Sequence, residues 1–302
     1  MSAPTLTTAP ATSRHPPPPR TTARRTAPGR GRRLLGTVFM SAVSVVMLLP
    51  LYLVVVNSFK SQEDIQRQPF AATALTPAYL SKALHNPDFQ VLRAYGITAL
   101  LALLVNLLSL AVAGPVSYVI ARGLRWRHQV LLLFFLAGTF VPGQVLVIPM
   151  VYVLKTLGLM GTIQGFVLFE TTLTLPVSVF LYVGFIRTIP AELDQAAMID
   201  GAGPPRVFWS VILPLMRPAV ATCVVLHTLG VWKDFVNPQI ILGPESGLYT
   251  VTTGIFMAVG QYTTDFTVLY PNVLLGVAPV LCFFVFMQRF IVSGLTAGAT
   301  KG

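Results

Sequence analysis

The sequence predicts an all-α transmembrane fold of six spans with one long polar loop on the cytoplasmic side. Three observations carry that prediction. Of the 302 residues, 54% are hydrophobic and 10% charged, and mean hydropathy is +0.71, whereas soluble domains carry about 25% charged residues. Apolar runs approaching the ~20 residues needed to cross a bilayer recur along the chain. The basic residues between those runs fall on one side of a six-span arrangement.

Residues 1–33 are rich in Pro, Thr, Ala and Arg, with HPPPPR at 15–20 and basic side chains at Arg14, Arg20, Arg24, Arg25, Arg30, Arg32 and Arg33. Such a stretch cannot build a core, so it is read as a disordered cytoplasmic tail whose arginines set topology and can touch anionic lipid. A signal peptide fits less well. The apolar run that follows exceeds the about 7–15 residues of a signal core, and no small-x-small cleavage site comes after it.

The first span is expected over 34–56, kinked at Pro50 rather than ended by it. Residues 57–93, which contain FKSQEDIQ and NPDF, form an outer loop with short helices. A second span over 94–120 stops at Arg122, Arg125 and Arg127. The third covers 130–154, and its Pro142 and Pro149 predict a bent helix that can line a path. The fourth covers 161–186. The fifth covers 219–231 and continues through Trp232-Lys233-Asp234-Phe235, and the sixth covers 272–287. The membrane domain thus occupies 34–288, followed by a polar, Gly-rich tail at 289–302 that is expected to leave the helix and the membrane. Basic residues place 1–33, 122–129, 187–217 and 289–302 in the cytoplasm, and leave 57–93 and 239–268 outside.

The polar stretch 190–218 reads PAELDQAAMIDGAGPPRVFWSVILPLMRP. Leu193, Ala196 and Ala197 stand three and four apart, so a helix from 191 to about 200 gathers them on one face on which a second protein can dock. Glu192, Asp194 and Gln195 then project elsewhere. Gly201 sits where a chain leaving a helix takes the left-handed conformation, which implies a sharp corner. The next helix is prepared by Gly203 as N-cap and by Pro204 or Pro205 in the first turn, with Val207, Phe208, Val211 and Ile212 as its apolar stripe. By pattern alone this reads first as an ordinary loop with two short helices.

The run ELDQAAMIDGA followed by FWSVILPLMRP resembles the EAA loop of permease subunits in binding-protein-dependent ABC importers. In that family the loop is the coupling helix, seated in a cleft of the ATPase subunit. The resemblance assigns this role to Gln195, Ala196, Ala197, Asp200, Gly201 and Ala202, beside Leu193. Gln195 stands where the family usually has Glu, which replaces an ion-pair acceptor by an amide. FKSQEDI after the first span is similar to sugar-importer permeases. QRFIVSGLTAGATKG at the end resembles the tail of maltose-type sugar permeases, specifically the tail-bearing member of a pair. The resemblance therefore implies that Ser293, Gly294, Leu295 and Thr296 contact the ATPases, against the simple alternative of a frayed terminus. It further implies a second permease, two ATPase subunits, an extracytoplasmic solute-binding protein and a sugar substrate.

Other chemistry finds little support. A G-x-x-x-x-G-K-[ST] phosphate loop is absent, so ATP hydrolysis falls to partner subunits. His15, His85, His128 and His227 lack metal-ligand spacing, no catalytic set stands out, and neither a metal nor a cofactor is expected. Cys223 and Cys282 lie in apolar runs and are read as small hydrophobes. The formal charge of +11 sits in the tail and cytoplasmic turns, so topology rather than nucleic acid accounts for it.

Glu170 is the one carboxylate in the middle of a span, where burial costs about 2.5–3.5 kcal/mol on insertion scales. It either lines the solute route or pairs with a polar group of a partner subunit. Trp232 and Asn237 either bind sugar at the outer end of the fifth span or anchor it at the interface. An ABC permease for a polyol, glycerol phosphate or peptide is the neighbouring alternative. A proton-coupled carrier would need a relay that Glu170 and His227, on different spans, hardly make.

Overall fold

The computed structural model describes residues 30–85, 90–259 and 265–299, with side chains over 34–85, 90–257 and 265–288. Every regular element among them is helical. The chain divides into two compact units, 1–49 and 50–302. Helix α1 (Arg30–Asn57) runs across that boundary and contains Pro50. It starts four residues before the expected span because no proline follows Pro28 until Pro50 and arginine is a good helix former. The rest of the amino-terminal tail lies outside the described residues.

The stretch between α1 and the next long helix holds two short helices, as expected. In α2 (Gln62–Arg67), Ser61 caps the first turn by accepting from the Asp64 N–H at 3.2 Å, and Glu63 and Asp64 complement the helix dipole. Helix α3 (Ala78–Leu84) follows Pro77. Lys60 is buried between the ends of α1 and α2, its Nζ donating to the Gln68 carbonyl at 2.6 Å and to Asn57 Oδ1 at 3.3 Å.

Helix α4 (Val91–Arg122) is the long member that positions the site. It packs most extensively on α7 (Ile163–Ile186), whose start is capped by Thr162 accepting from the Gly165 N–H at 3.1 Å. Two apolar clusters lie along this pair. One joins Ala113, Tyr118 and Ile120 of α4 to Val179, Val183 and Ile186 of α7 and to Phe208 and Ile212 beyond it. The other joins Leu101 and Val105 to Phe166 and Phe169.

The bend that the prolines suggested in the third span is sharp enough to break the helix in two. Helices α5 (Trp126–Gly138) and α6 (Gly143–Thr156) meet at 98° across a break of four residues. Pro142 drives the residue before it out of helical geometry, which stops α5 before the chain can continue in line. With 13 and 14 residues, each is about 20 Å long, short of the ~30 Å hydrocarbon layer.

Beyond α7 come α8 (Glu192–Ile199), α9 (Pro204–Val207), a π-helical turn at Phe208–Ile212, α10 (Leu213–Leu215) and α11 (Arg217–Lys233). The stretch Pro204–Leu215 and α11 are bent by 77°. Pro214 lacks the N–H that an α-helix would place on the Ser210 carbonyl, and its ring crowds that carbonyl, which the wider π turn relieves. Helix α12 (Val236–Ile241), a short 3₁₀ turn and α13 (Val251–Val259) follow. The outer loop expected at 239–268 is therefore partly folded: the Val251 N–H donates to Thr98 Oγ1 of α4 at 3.0 Å, and Thr252 Oγ1 donates to the Asp234 carbonyl at 2.5 Å.

Helix α14 (Phe266–Ala299) begins six residues earlier than the expected sixth span and does not stop at its end. Glycine costs only about 1 kcal/mol in a helix interior, so Gly294 and Gly298 do not by themselves break it, and the tail continues the helix instead of leaving it. Four helices among the described residues (α1, α4, α7 and α14) are long and apolar enough to cross a membrane, or six if each bent pair forms one span.

Candidate functional site

The loop between α7 and α11 is built around Gly201, whose φ is +85°. The end of α8 is closed by two reverse bonds, Ala202 N–H to the Ala197 carbonyl and Gly201 N–H to the Met198 carbonyl, each 3.0 Å. This is the pattern in which a left-handed residue turns the chain away from a helix. No atom stands within 4 Å of where a Gly201 β-carbon would be, so the demand for glycine is conformational, not steric. Gly203 caps α9 in extended geometry, with proline in the first turn.

Both arms of this corner rest on α4. From α8, Asp194 turns inward and meets Arg122: Nε to Oδ2 is 2.7 Å and Nη2 to Oδ1 is 3.1 Å. The side chains are 20% and 8% exposed. Tyr118 donates to the same Oδ2 at 3.2 Å, and Arg122 Nη1 reaches the Ile189 carbonyl at 3.0 Å. From the second arm, the Phe208 ring fills a notch at Gly114, where a β-carbon would come within 2.8 Å of Cζ. Phe208 and Tyr118 have ring centroids 5.8 Å apart.

The outward side of the loop is apolar and open. Ile199 is 86% exposed, Met198 46% and Leu193 41%, with Gln195, Ala196 and Asp200 beside them. The expected face is thus divided: Ala197 and Ala202 pack half-buried against the core while Leu193 and Ala196 point away. Asp194, expected to project elsewhere with Glu192 and Gln195, is buried. Its partner stands 72 residues away, so the local spacing carried no sign of it.

A second feature lies higher along α4. A cavity of about 400 Å³ is lined by Leu103, Asn106, Tyr182, Thr228, Trp232 and Phe283, among others. Asn106 Nδ2 donates to Thr228 Oγ1 at 3.2 Å, and its Oδ1 lies 3.2 Å from His227 Nδ1. His227 Nε2 is 3.0 Å from Ser178 Oγ, which is 3.1 Å from Ser109 Oγ. Five polar side chains therefore tie α4, α7 and α11 together beside an otherwise apolar space.

Residues 113–293 match the family described as the inner membrane component of binding-protein-dependent transport systems, a stretch that contains the loop and its seat on α4. The chain belongs to this family. The multiple sugar-binding transport system permease protein MsmG of Streptococcus mutans is 30% identical over 268 residues, covering 87% of this chain and 95% of the relative. The diacetylchitobiose uptake system permease protein NgcG of Streptomyces coelicolor is 29% identical, with 85% of each covered. A probable starch degradation products permease, AmyC of Thermoanaerobacterium thermosulfurigenes, is 27% identical over 89% of this chain and 97% of the relative. In fold, the chain is similar to a solved bacterial ABC transporter involved in import of the acidic polysaccharide alginate. The TM-score is 0.73 at 18% identity, over 86% of this chain and 98% of that one.

Family membership and the long apolar helices make this permease a multi-pass membrane protein. The structure brings two of the three expected path residues together: Asn237 Nδ2 donates to Glu170 Oε1 at 2.8 Å. Glu170 thus has a polar partner within its own chain. Trp232 stands apart from them, on the cavity wall, stacked on Tyr95 at 6.0 Å and donating to the Gly276 carbonyl at 3.1 Å. Asn106 and Thr228 were not singled out, and His227 was weighed only as half of a relay, since single polar residues in apolar runs show no periodicity. The side chains of Ser293, Gly294, Leu295 and Thr296 lie outside the described residues. Among the described residues no group of three or more His, Cys, Asp or Glu side chains can hold a metal.

Proposed function

We propose that this permease is one membrane-spanning half of an ATP-driven importer for a sugar or oligosaccharide. The observation that carries the reading is the corner at Gly201, which presents Leu193, Ala196 and Ile199 outward while its inner side is fixed to α4. An exposed apolar face on a loop between two membrane helices suits docking in a cleft of a soluble ATPase. The sugar class is supported by the names of the relatives MsmG, NgcG and AmyC.

In this reading Leu193, Gln195, Ala196, Asp200 and Gly201 meet an ATPase subunit, with Ala197 and Ala202 bracing them from behind. Two such ATPases hydrolyse the ATP, a second related permease completes the path, and an extracytoplasmic binding protein delivers solute. Arg122, Arg125, Arg127, Arg187, Arg206 and Arg217 assign the loop to the cytoplasm together with both termini. The end of α14, from Ser293 to Thr296, adds a further ATPase contact. The cavity beside Asn106, Thr228 and Trp232 is this subunit's part of the route, and Glu170 with Asn237 braces its outer end.

Reconstitution tests the whole. The permease, its partner permease and ATPases are placed in liposomes with the binding protein and ATP, and uptake of labelled oligosaccharides is followed. ATP-dependent uptake that also requires the binding protein is expected. Uptake of a non-sugar solute in preference to every oligosaccharide would overturn the substrate class, and uptake without ATP would overturn the reading altogether.

A further inference from the structure

Gly114, Tyr118 and Arg122 follow one another at intervals of four along α4, so they form a single stripe at the end of that helix nearest the loop. Together they engage the loop at two points. Arg122 and Tyr118 hold Asp194 of α8, and Gly114 receives Phe208 of the second arm. α4 is neither the helix that enters the loop nor the one that leaves it. Arg122 also holds the Ile186 and Ile189 carbonyls at the end of α7, at 3.4 and 3.0 Å. Going up the same helix, Leu110, Leu107, Asn106 and Leu103 form one wall of the cavity. Asn106 in turn bonds to Thr228 and His227 of α11.

We propose that Arg122 is a positioning residue that makes α4 the member conveying displacement of the coupling loop to the cavity wall. This rests on reading the loop as the ATPase lever. The two-point geometry matters because a guanidinium held at two oxygens fixes direction as well as distance, whereas a lysine at the same place is a point charge free to pivot. Phe208 in the Gly114 notch supplies the second fixed point, so α8 and α9 cannot shift independently of α4. A helix with one fixed point would rotate beneath the loop. With two it must follow.

The test uses the complete reconstituted importer and reads solute imported per ATP hydrolysed, together with ATPase retained on copurification. Arg122→Lys and Asp194→Asn are expected to keep the ATPase bound while solute per ATP falls by about fivefold or more, the lower range of coupling between sites. Should these variants fail to assemble, Phe208→Leu, which leaves the ion pair intact and part of the notch empty, is expected to lower the same ratio to a smaller degree. An unchanged ratio in assembled variants overturns the proposal, as does a loss that tracks ATPase release in every variant. Failure of the lever reading is recognised separately: the unaltered importer would then show no ATP-dependent uptake, or the ATPase would not copurify with it.

Discussion

Arg122 at the end of α4 and Asp194 in α8 face each other as a two-point ion pair, at 2.7 and 3.1 Å, across 72 residues of sequence. The pair is almost enclosed, so each charge depends on the other. Removing one partner, as in Asp194→Ala, leaves an uncompensated guanidinium. For fully buried pairs such a change costs about 3–5 kcal/mol, and the residual exposure of Arg122 puts the expected loss toward the lower end. Replacing both by apolar residues, Arg122→Met with Asp194→Leu, is expected to cost less than either single change. Thermal unfolding of the three detergent-solubilised variants checks this, and equal losses in all three would show that the pair contributes nothing beyond packing.

Gly201 has φ +85° and empty space around its absent β-carbon, so its replacements should rank by backbone preference alone. Gly201→Asn is expected to retain most uptake, because asparagine visits the left-handed region. Gly201→Val carries the cost of at least about 1–2 kcal/mol for a β-carbon there, and it should insert normally yet lose uptake and ATPase contact. Gln195→Ala removes a contact of about 0.5–1.5 kcal/mol and should weaken uptake only in part. Uptake at matched membrane levels gives the ranking; Val and Asn behaving alike would remove the conformational argument.

Glu170 accepts from Asn237 at 2.8 Å, and a neutral amide can make the same bond. Glu170→Gln is therefore expected to retain stability and most uptake. Glu170→Leu strands the Asn237 donor and should lower stability by about 1–3 kcal/mol. A large uptake loss in Glu170→Gln at unchanged stability would mean that the charge itself acts on the solute.

Topology follows from labelling in intact cells. Ser81 in α3 and Ser210 in the π turn are both exposed. A reagent confined to the outside should modify Ser81→Cys and leave Ser210→Cys untouched, because the basic loops assign the latter to the cytoplasm. The reverse pattern would invert the arrangement.

What was legible in the sequence is what local chemistry dictates. Gly201 and the prolines after it announce their conformations whatever surrounds them, since a left-handed φ and a fixed proline φ are properties of single residues. Apolar runs announce membrane helices in the same way, through composition over about 20 residues. The class of fold and the corner of the loop were therefore determined by the sequence itself.

Tertiary structure decided the rest. Eight residues of α8 make barely two turns, too few for periodicity to say which side faces the bundle. Asp194 turns inward only because Arg122 and Tyr118 wait there, and Ala197 goes with it while Leu193 and Ala196 stay outside. The 98° break at 139–142, the folding of α13 onto α4 and the continuation of α14 through Ala299 likewise depend on packing or on small backbone preferences that no single residue declares. The polar set Asn106, His227, Ser178 and Ser109 is invisible until α4, α7 and α11 are brought side by side. A residue's conformational limits are written in its own covalent structure, but the partner that satisfies a buried charge is supplied by whatever distant segment the fold places against it.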